Sequence, residues 1–251
     1  MSRVIVITGA SGGIGAALAR RLGQDSHELV LGARRAEALQ EVAASIAAPV
    51  VAVPTDVTRR AEVERLRDAA LARFGHVDVW INNAGRGLTV PVLDLTDAQL
   101  DDMVAVNVKS ALYGMQAIVP HFMQRGRGHL VNVSSVLARA PIASLRSAYS
   151  AAKAMLTSLT TNLRLDLAAT HPAIHVTSVM PGLVSTDFAR NAGTEGPLAA
   201  ASVAMGIQTP AEVAEVIAGV LEHPRAEIYT NPNSEPAVRR LLEESGAIRA
   251  V

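Results

Sequence analysis

The sequence predicts an α/β protein built on a doubly wound parallel sheet. Three observations carry that expectation. Short runs rich in β-branched residues alternate with longer Ala- and Leu-rich stretches of helical spacing. The short runs are continuously apolar, as strands covered on both faces are. The first run passes straight into a glycine-rich turn that opens a helix, and strand-helix alternation of this regularity implies right-handed crossovers.

The expected strands are "VIVIT" (Val4 to Thr8), "HELVLG" (His27 to Gly32), "PVVAVP" (Pro49 to Pro54), "VDVWIN" (Val77 to Asn82), "HLVNVSS" (His129 to Ser135) and "IHVTSVM" (Ile174 to Met180). A seventh, "EIYTN", comes late, after a helix that starts near Pro210. "AALARRL" follows the first strand and "RRAEVERLRDAALARF" the third. One long helix, "DAQLDDMVAVNVKSALYGMQAIVPHFM", follows the fourth, and "SAYSAAKAMLTSLTTNLRLDLA" the fifth. No Ser/Gly linker, repeat or low-complexity tract interrupts the 251 residues. They are therefore expected to form a single Rossmann-like domain, with seven parallel strands and helices on both faces. The least regular piece is Pro181 to Thr209, whose part from 183 to 209 is expected to be a substrate loop, because loops of that length usually serve function.

Composition narrows the function classes. Apolar residues make up 49% and aromatics 3%, so the core must be built from Ala, Val, Leu and Ile. Basic and acidic residues balance at 23 each, which argues against nucleic-acid or membrane-surface partners. There is no cysteine, so disulfides and thiolate chemistry are excluded. The opening "MSRVIVITGA" reaches glycine too soon for a signal peptide, and no apolar run approaches the ~20 residues of a membrane helix. A soluble, cytoplasmic protein is expected. The seven histidines do not cluster, and Pro172 keeps His171 and His175 off a shared helical face, so no metal site is expected. No G-x-S-x-G elbow supports a hydrolase.

Thr8-Gly9-Ala10-Ser11-Gly12-Gly13-Ile14-Gly15 stands between the first strand and its helix. Glycines there let the backbone approach a pyrophosphate, which then meets free N–H groups at a helix N-terminus. A ligand-free glycine-rich turn is the plainer alternative. After the second strand comes Gly32-Ala33-Arg34-Arg35, with no carboxylate before Glu37. Arginine at that point accommodates a 2′-phosphate, where an acid would bind a 2′-hydroxyl. NADP(H) is thus expected over NAD(H), unless Arg34 and Arg35 are only solvated residues at a helix start.

Twenty-one arginines stand against two lysines, Lys109 and Lys153, and there are three tyrosines. Tyr149 and Lys153 lie four apart on an expected helix and share a face. A phenol ionises near pH 10, and an adjacent ammonium stabilises its phenolate and brings it towards the working range. A core tyrosine beside a surface lysine is the alternative, which the rarity of lysine weakens.

These residues reach a family. "TGASGGIG", "NNAG" (Asn82 to Gly85), Asn107, "NVSS" (Asn132 to Ser135), "YSAAK" and "PGLVST" (Pro181 to Thr186) stand in the order and spacing of the short-chain dehydrogenase/reductases. The chain resembles the compact branch of that family from residue 1 to about 222. The resemblance implies that Tyr149 is the general acid in carbonyl reduction and the base in alcohol oxidation. Lys153 would hold the nicotinamide ribose and depress the phenol's pKa, Ser135 would hold the substrate oxygen, and Asn107 would anchor a water in a proton relay. Gly9, Ser11, Gly13, Ile14 and Gly15 would line phosphates and ribose, with Asp56 and Val57 near the adenine. Asn83, Ala84 and Gly85 would flank the adenosine ribose. Pro181, Gly182, Val184 and Thr186 would lie against the nicotinamide end. Asp56 could instead be a helix cap, and Asn83 a structural strand-end amide.

Two departures from the family pattern matter. Ser135 precedes Tyr149 by 14 residues, one more than the pattern implies, so the intervening loop is expected to carry an extra residue, and Ser134 stays as a lesser candidate. The family's frequent "VDGG"-like ending, which helps build a tetramer, is replaced by "EIYTNPNSEPAVRRLLEESGAIRAV". A homodimer through the two long helices is expected, with a homotetramer as the alternative. Leu88 to Val92, Leu137 to Arg146 and Leu183 to Gly206 should shape a site for a small, mainly apolar carbonyl or alcohol. A catalytically silent, cofactor-binding regulator is the competing function; such relatives usually lose the tyrosine or lysine.

Overall fold

The computed structural model describes residues 2–141, 145–186 and 206–244. Seven parallel strands form one sheet in the order β3-β2-β1-β4-β5-β6-β9. These are β1 (Val4–Thr8), β2 (Glu28–Ala33), β3 (Val50–Pro54), β4 (Val79–Asn82), β5 (Gly128–Val133), β6 (Ile174–Met180) and β9 (Glu227–Tyr229). A separate parallel pair joins β7 (Leu183–Val184) to β8 (Ile207–Gln208). Strand order reverses between β1 and β4, the switch point at whose carboxyl edge doubly wound sheets bind ligands.

Helices cover both faces, so the strands are largely apolar. Against one face pack α1 (Gly13–Gln24), α2 (Ala36–Ala44) and α7 (Pro210–Glu222), through Leu18, Leu22, Leu39, Val213 and Ile217. Against the other pack α3 (Arg60–Phe74), α5 (Ser110–Arg125) and α6 (Ser147–Ala168), through Leu66, Ile118, Phe122 and Leu156. Each such fully buried side chain contributes about 1.5–3 kcal/mol of transfer free energy.

The long helix expected from Asp97 to Met123 is divided. α4 (Asp97–Val104), started by a Thr96–Gln99 capping box, runs into a π-helical turn (Ala105–Lys109) before α5. Asn107 explains the break. Its Nδ2 donates to the Met103 carbonyl (3.1 Å) and to the Arg86 carbonyl (2.9 Å), so the side chain takes an acceptor that the helical ladder would otherwise use. The atypical C-terminus forms α8 (Ser234–Glu244). Its Val238 packs with Met180, Val136 and Ala140, over the short 3₁₀ turn Val136–Ala138 that follows β5.

Candidate active site

The glycine turn lies at the carboxyl end of β1 and is held from β4. Thr8 Oγ1 accepts the backbone N–H groups of Asn83 (3.1 Å) and Ala84 (3.2 Å), while Asn83 Nδ2 donates to the carbonyls of Thr8 (2.9 Å) and Gly9 (3.3 Å). Asn83 is therefore a bracket between two strand ends. Gly9 has φ +69°, and a Cβ there would stand 2.8 Å from the Ala84 Cα. A Cβ on Gly15 would stand 2.4 Å from the Gly9 carbonyl oxygen and 2.6 Å from Asn83 Nδ2. Only backbone fits these positions, which leaves an N–H-lined cradle at the start of α1, the shape and polarity that suit a pyrophosphate. Ile14 packs against the core beside it.

The two arginines after β2 differ in placement. Arg35 folds over the turn: its Nη2 donates to the Ser11 carbonyl (3.0 Å) and its Nε to Ser11 Oγ (3.3 Å). Arg34 is exposed and its charge acts on Asp56. Burial pushes the Asp56 carboxyl up, but hydrogen bonds from Thr58 and the charges of Arg34 and Arg59 outweigh it and hold it below its ordinary value. Asp56 Oδ1 accepts the Thr58 N–H (3.0 Å) and hydroxyl (2.7 Å); it makes an Asx turn and does not cap α3, whose N-cap is Arg59. The Val57 side chain is part of the core.

Tyr149, Lys153, Ser135 and Asn107 are all buried, at 8%, 3%, 6% and 1% exposure. Tyr149 and Lys153 stand on the first two turns of α6. Ser135 leads into the 3₁₀ turn, accepts the Leu137 N–H (3.2 Å) and hydrogen-bonds the Tyr149 side chain. The other serine is accounted for elsewhere: Ser134 Oγ donates to the Lys153 carbonyl (3.1 Å) and shares a 2.7 Å hydrogen bond with Thr157 Oγ1. Geometry thus pairs Ser135, and not Ser134, with the phenol. Lys153 Nζ donates to the Val133 carbonyl (2.9 Å) and lies 5.8 Å from the Tyr149 ring centroid. A Cβ on Gly85 would come within 2.9 Å of Asn107 Oδ1 and 3.4 Å of Lys153 Nζ, so both polar atoms converge on one bare backbone position.

The electrostatics differ from the expectation that Lys153 depresses the phenol. Burial pushes Tyr149 up to about 12, against smaller lowering effects of the Ser135 hydrogen bond and the Arg146 charge. Burial also brings Lys153 down to about 8. With its ammonium turned to Val133, the lysine leaves desolvation as the dominant influence on Tyr149. Among the protein's own groups, the phenol is kept protonated.

A buried polar ladder under these residues was not singled out from the sequence. Trp80 Nε1 donates to Asn82 Oδ1 (2.7 Å), Asn82 Nδ2 to Asn132 Oδ1 (2.8 Å), and Asn132 Nδ2 to Thr160 Oγ1 (2.8 Å). Thr157 and Thr160 follow Lys153 by one and two turns, so the ladder fixes α6 to β5 and β4. That threonine spacing, opposite the Asn in each of two adjacent strands, is the signal the sequence held.

Pro181, Gly182 and Val184 lie just beyond β6. The Pro181 carbonyl accepts the Val136 N–H (3.0 Å), which ties this segment to the serine's turn. Thr186 reaches the glycine turn, its Cγ2 3.4 Å from where a Gly13 Cβ would stand. Within the three expected substrate-shaping segments, residues 142–144 and 187–205 lie outside the described residues.

Comparison with known proteins agrees with this architecture. The sequence pattern of the family described as short chain dehydrogenase matches residues 3–196, and the chain belongs to that family. An uncharacterized oxidoreductase of Staphylococcus epidermidis is 34% identical over 217 residues, covering 84% of this chain and 93% of the relative. One of Staphylococcus aureus strain N315 is 38% identical over 185 residues, or 73% and 79% of the two chains. A short chain dehydrogenase/reductase from Burkholderia phymatum, solved in complex with NAD, superposes with a TM-score of 0.88 at 26% identity, covering 100% of this chain and 96% of that one. An alcohol dehydrogenase from Thermococcus sibiricus, complexed with 5-hydroxy-NADP, gives 0.79 at 27% identity over 91% and 96%. The protein is an oxidoreductase-family member with a Rossmann-like sheet, and solved neighbours carry nicotinamide nucleotides.

Proposed function

We propose that the protein is an NADP(H)-dependent oxidoreductase that interconverts a carbonyl and a secondary alcohol on a small, mainly apolar substrate. The observation that carries this reading is the convergence of Tyr149, Ser135, Lys153 and Asn107 beside the glycine cradle. The cradle, Asn83 to Gly85 and Thr186 would hold the nucleotide, with Arg34 and Arg35 the cations available to a 2′-phosphate. When bound, the reduced nicotinamide supplies the hydride. Ser135 then holds the substrate oxygen, and Tyr149, protonated at neutral pH, donates its proton to that oxygen. In this reading Lys153 and Asn107 would serve the relay that returns a proton to the phenolate. In alcohol oxidation Tyr149 must first lose its proton.

The same reading takes the chain as one domain working in the cytoplasm as a homodimer. Apolar side chains exposed on α4, α5 and α6, namely Leu100, Met123, Met155 and Leu165, favour pairing through these helices. Calorimetric titration with NADPH and with NADH, followed by ketone reduction with Tyr149→Phe as control, tests the proposal. Tight NADPH binding and a loss of at least ~100-fold in turnover for Tyr149→Phe are expected. Preference for NADH would remove the 2′-phosphate assignment, and binding without any turnover would favour the silent regulator.

A further inference from the structure

One cation beside the phenol has no partner in the machinery described above. Arg146 immediately precedes α6, three residues before Tyr149, and its carbonyl accepts the Ser150 N–H (2.8 Å). Its side chain is half-buried, yet no hydrogen bond or carboxylate engages the guanidinium among the described residues. Every other half-buried arginine among the described residues is tied down: Arg3 to Glu222, Arg21 to Glu215 and Asp25, Arg67 to Asp68, Arg125 to Asp78 and the Val77 carbonyl, and Arg164 to the Ala226 carbonyl.

Independent observations at the same place point to a ligand. Ser150 is 5% exposed, and its hydroxyl is buried with no hydrogen-bond partner. It follows Arg146 by one helical turn, so the two share a face, and helical side chains lean towards the N-terminus, which aims Ser150 at the Arg146 turn. Thr89 Oγ1 and Ser147 Oγ are likewise buried and unpartnered. The Val90 N–H donates to the Leu145 carbonyl (2.8 Å), which sets Thr89 one residue from that bond on one side and Arg146 one residue from it on the other. Orphaned buried hydroxyls are uncommon and call for a partner. Here they stand on the two segments that the Val90–Leu145 hydrogen bond brings together, next to an unpaired cation at a helix N-terminus, where the free N–H groups also favour negative charge.

We propose that Arg146, with Ser150 and Thr89, binds a carboxylate on the substrate, so that the substrate class is an oxo acid or hydroxy acid with an otherwise apolar skeleton. The planar guanidinium matches a carboxylate in a bidentate fork. The flanking Leu88, Val90 and Leu145 suit an alkyl chain between the acid and the reacting carbon. Burial lowers the pKa of Arg146, but a guanidinium keeps its charge throughout the working range. This inference rests on the oxidoreductase reading for the reacting end of the substrate, and on Arg146, Ser150 and Thr89 for the charged end.

The test uses the full chain, 6-oxoheptanoate and its methyl ester as paired probes, and NADPH. The wild type is expected to favour the acid in kcat/KM by about tenfold or more, the scale of one charge-assisted contact. In Arg146→Gln the acid-to-ester ratio should fall to near one, and Arg146→Lys should recover part of it. Saturation-transfer NMR with heptanoate and methyl heptanoate, without cofactor, reads the same contrast independently of turnover. A wild type that favours the ester, or heptanoate signals equal in wild type and Arg146→Gln, overturns the carboxylate site. If NADPH fails to bind or neither probe is reduced, the oxidoreductase reading is what falls, and the NMR contrast still decides the anion site.

Discussion

Two buried titratable groups on one helix give the protein an alkaline signature that can be worked out in sign. Lys153 titrates at about 8 in the folded chain and near 10.4 when unfolded. Between those values the unfolded chain binds more protons, so stability should rise with pH, by an amount on the order of 3 kcal/mol. Tyr149 holds its proton to about 12, against about 10 when unfolded, so its contribution falls as pH passes above 10. The melting temperature of the wild type, measured against Lys153→Met from pH 7 to 10, should gain on that of the variant as pH rises. A difference that stays flat across this interval would mean that Lys153 is not desolvated. The same phenol predicts a kinetic asymmetry. Under the proposed function, ketone reduction uses the acid form already present at neutral pH, whereas alcohol oxidation should speed up by about tenfold per pH unit from pH 7 to 10, the factor by which the base form of a group titrating at about 12 grows.

The glycine turn and α6 are the elements that set the site, and each can be broken locally. Gly15→Ala forces a methyl group onto the Gly9 carbonyl and Asn83; overpacking of this kind costs about 1–3 kcal/mol, and cofactor binding by calorimetry should be lost with it. Thr160→Val removes the partner of Asn132 Nδ2 and should cost about 1–3 kcal/mol in chemical denaturation, the penalty of an orphaned buried donor. Unchanged stability in Thr160→Val would show that the ladder does not hold the helix. The six early strands, the glycine turn and all of α6 were legible in the sequence, because burial on both faces writes itself as unbroken apolar runs and because Tyr149 and Lys153 share a face. The split at Ala105–Lys109 was not. The apolar period runs through it, and the cause is a side-chain hydrogen bond from Asn107 that no periodicity records. β7 and β8, two residues each, are too short to carry a pattern. The identity of the serine that meets Tyr149 needed the structure too, since adjacent serines in "NVSS" differ only in which way the chain turns after β5.

At the scale of the whole molecule, the C-terminal replacement for the family's usual ending becomes a supporting element. α8 seats Val238 on the turn that carries Ser135, and Arg139 of that region is paired to Glu227 on β9 at 2.6 Å. Val238→Ala should therefore cost about 1–2 kcal/mol by lost burial and lower turnover as well as stability, because the serine's turn loses its backing. Exposed Leu165 on α6, at 65%, lies on the face proposed for pairing. Leu165→Glu should convert a dimer to a monomer in sedimentation velocity while the melting temperature of the fold changes little; a wild type that already sediments as a monomer removes the dimer.

Trp80 is the single tryptophan of the chain, and its indole N–H begins the ladder that runs through Asn82 and Asn132 to Thr160 on the helix that carries Tyr149 and Lys153. The molecule thus carries one indole fluorophore wired by hydrogen bonds to the floor of the candidate site. Its emission needs no label to report whether that floor is intact, and a spectral change that precedes the loss of helical circular dichroism in denaturant would time the opening of the site separately from the melting of the fold.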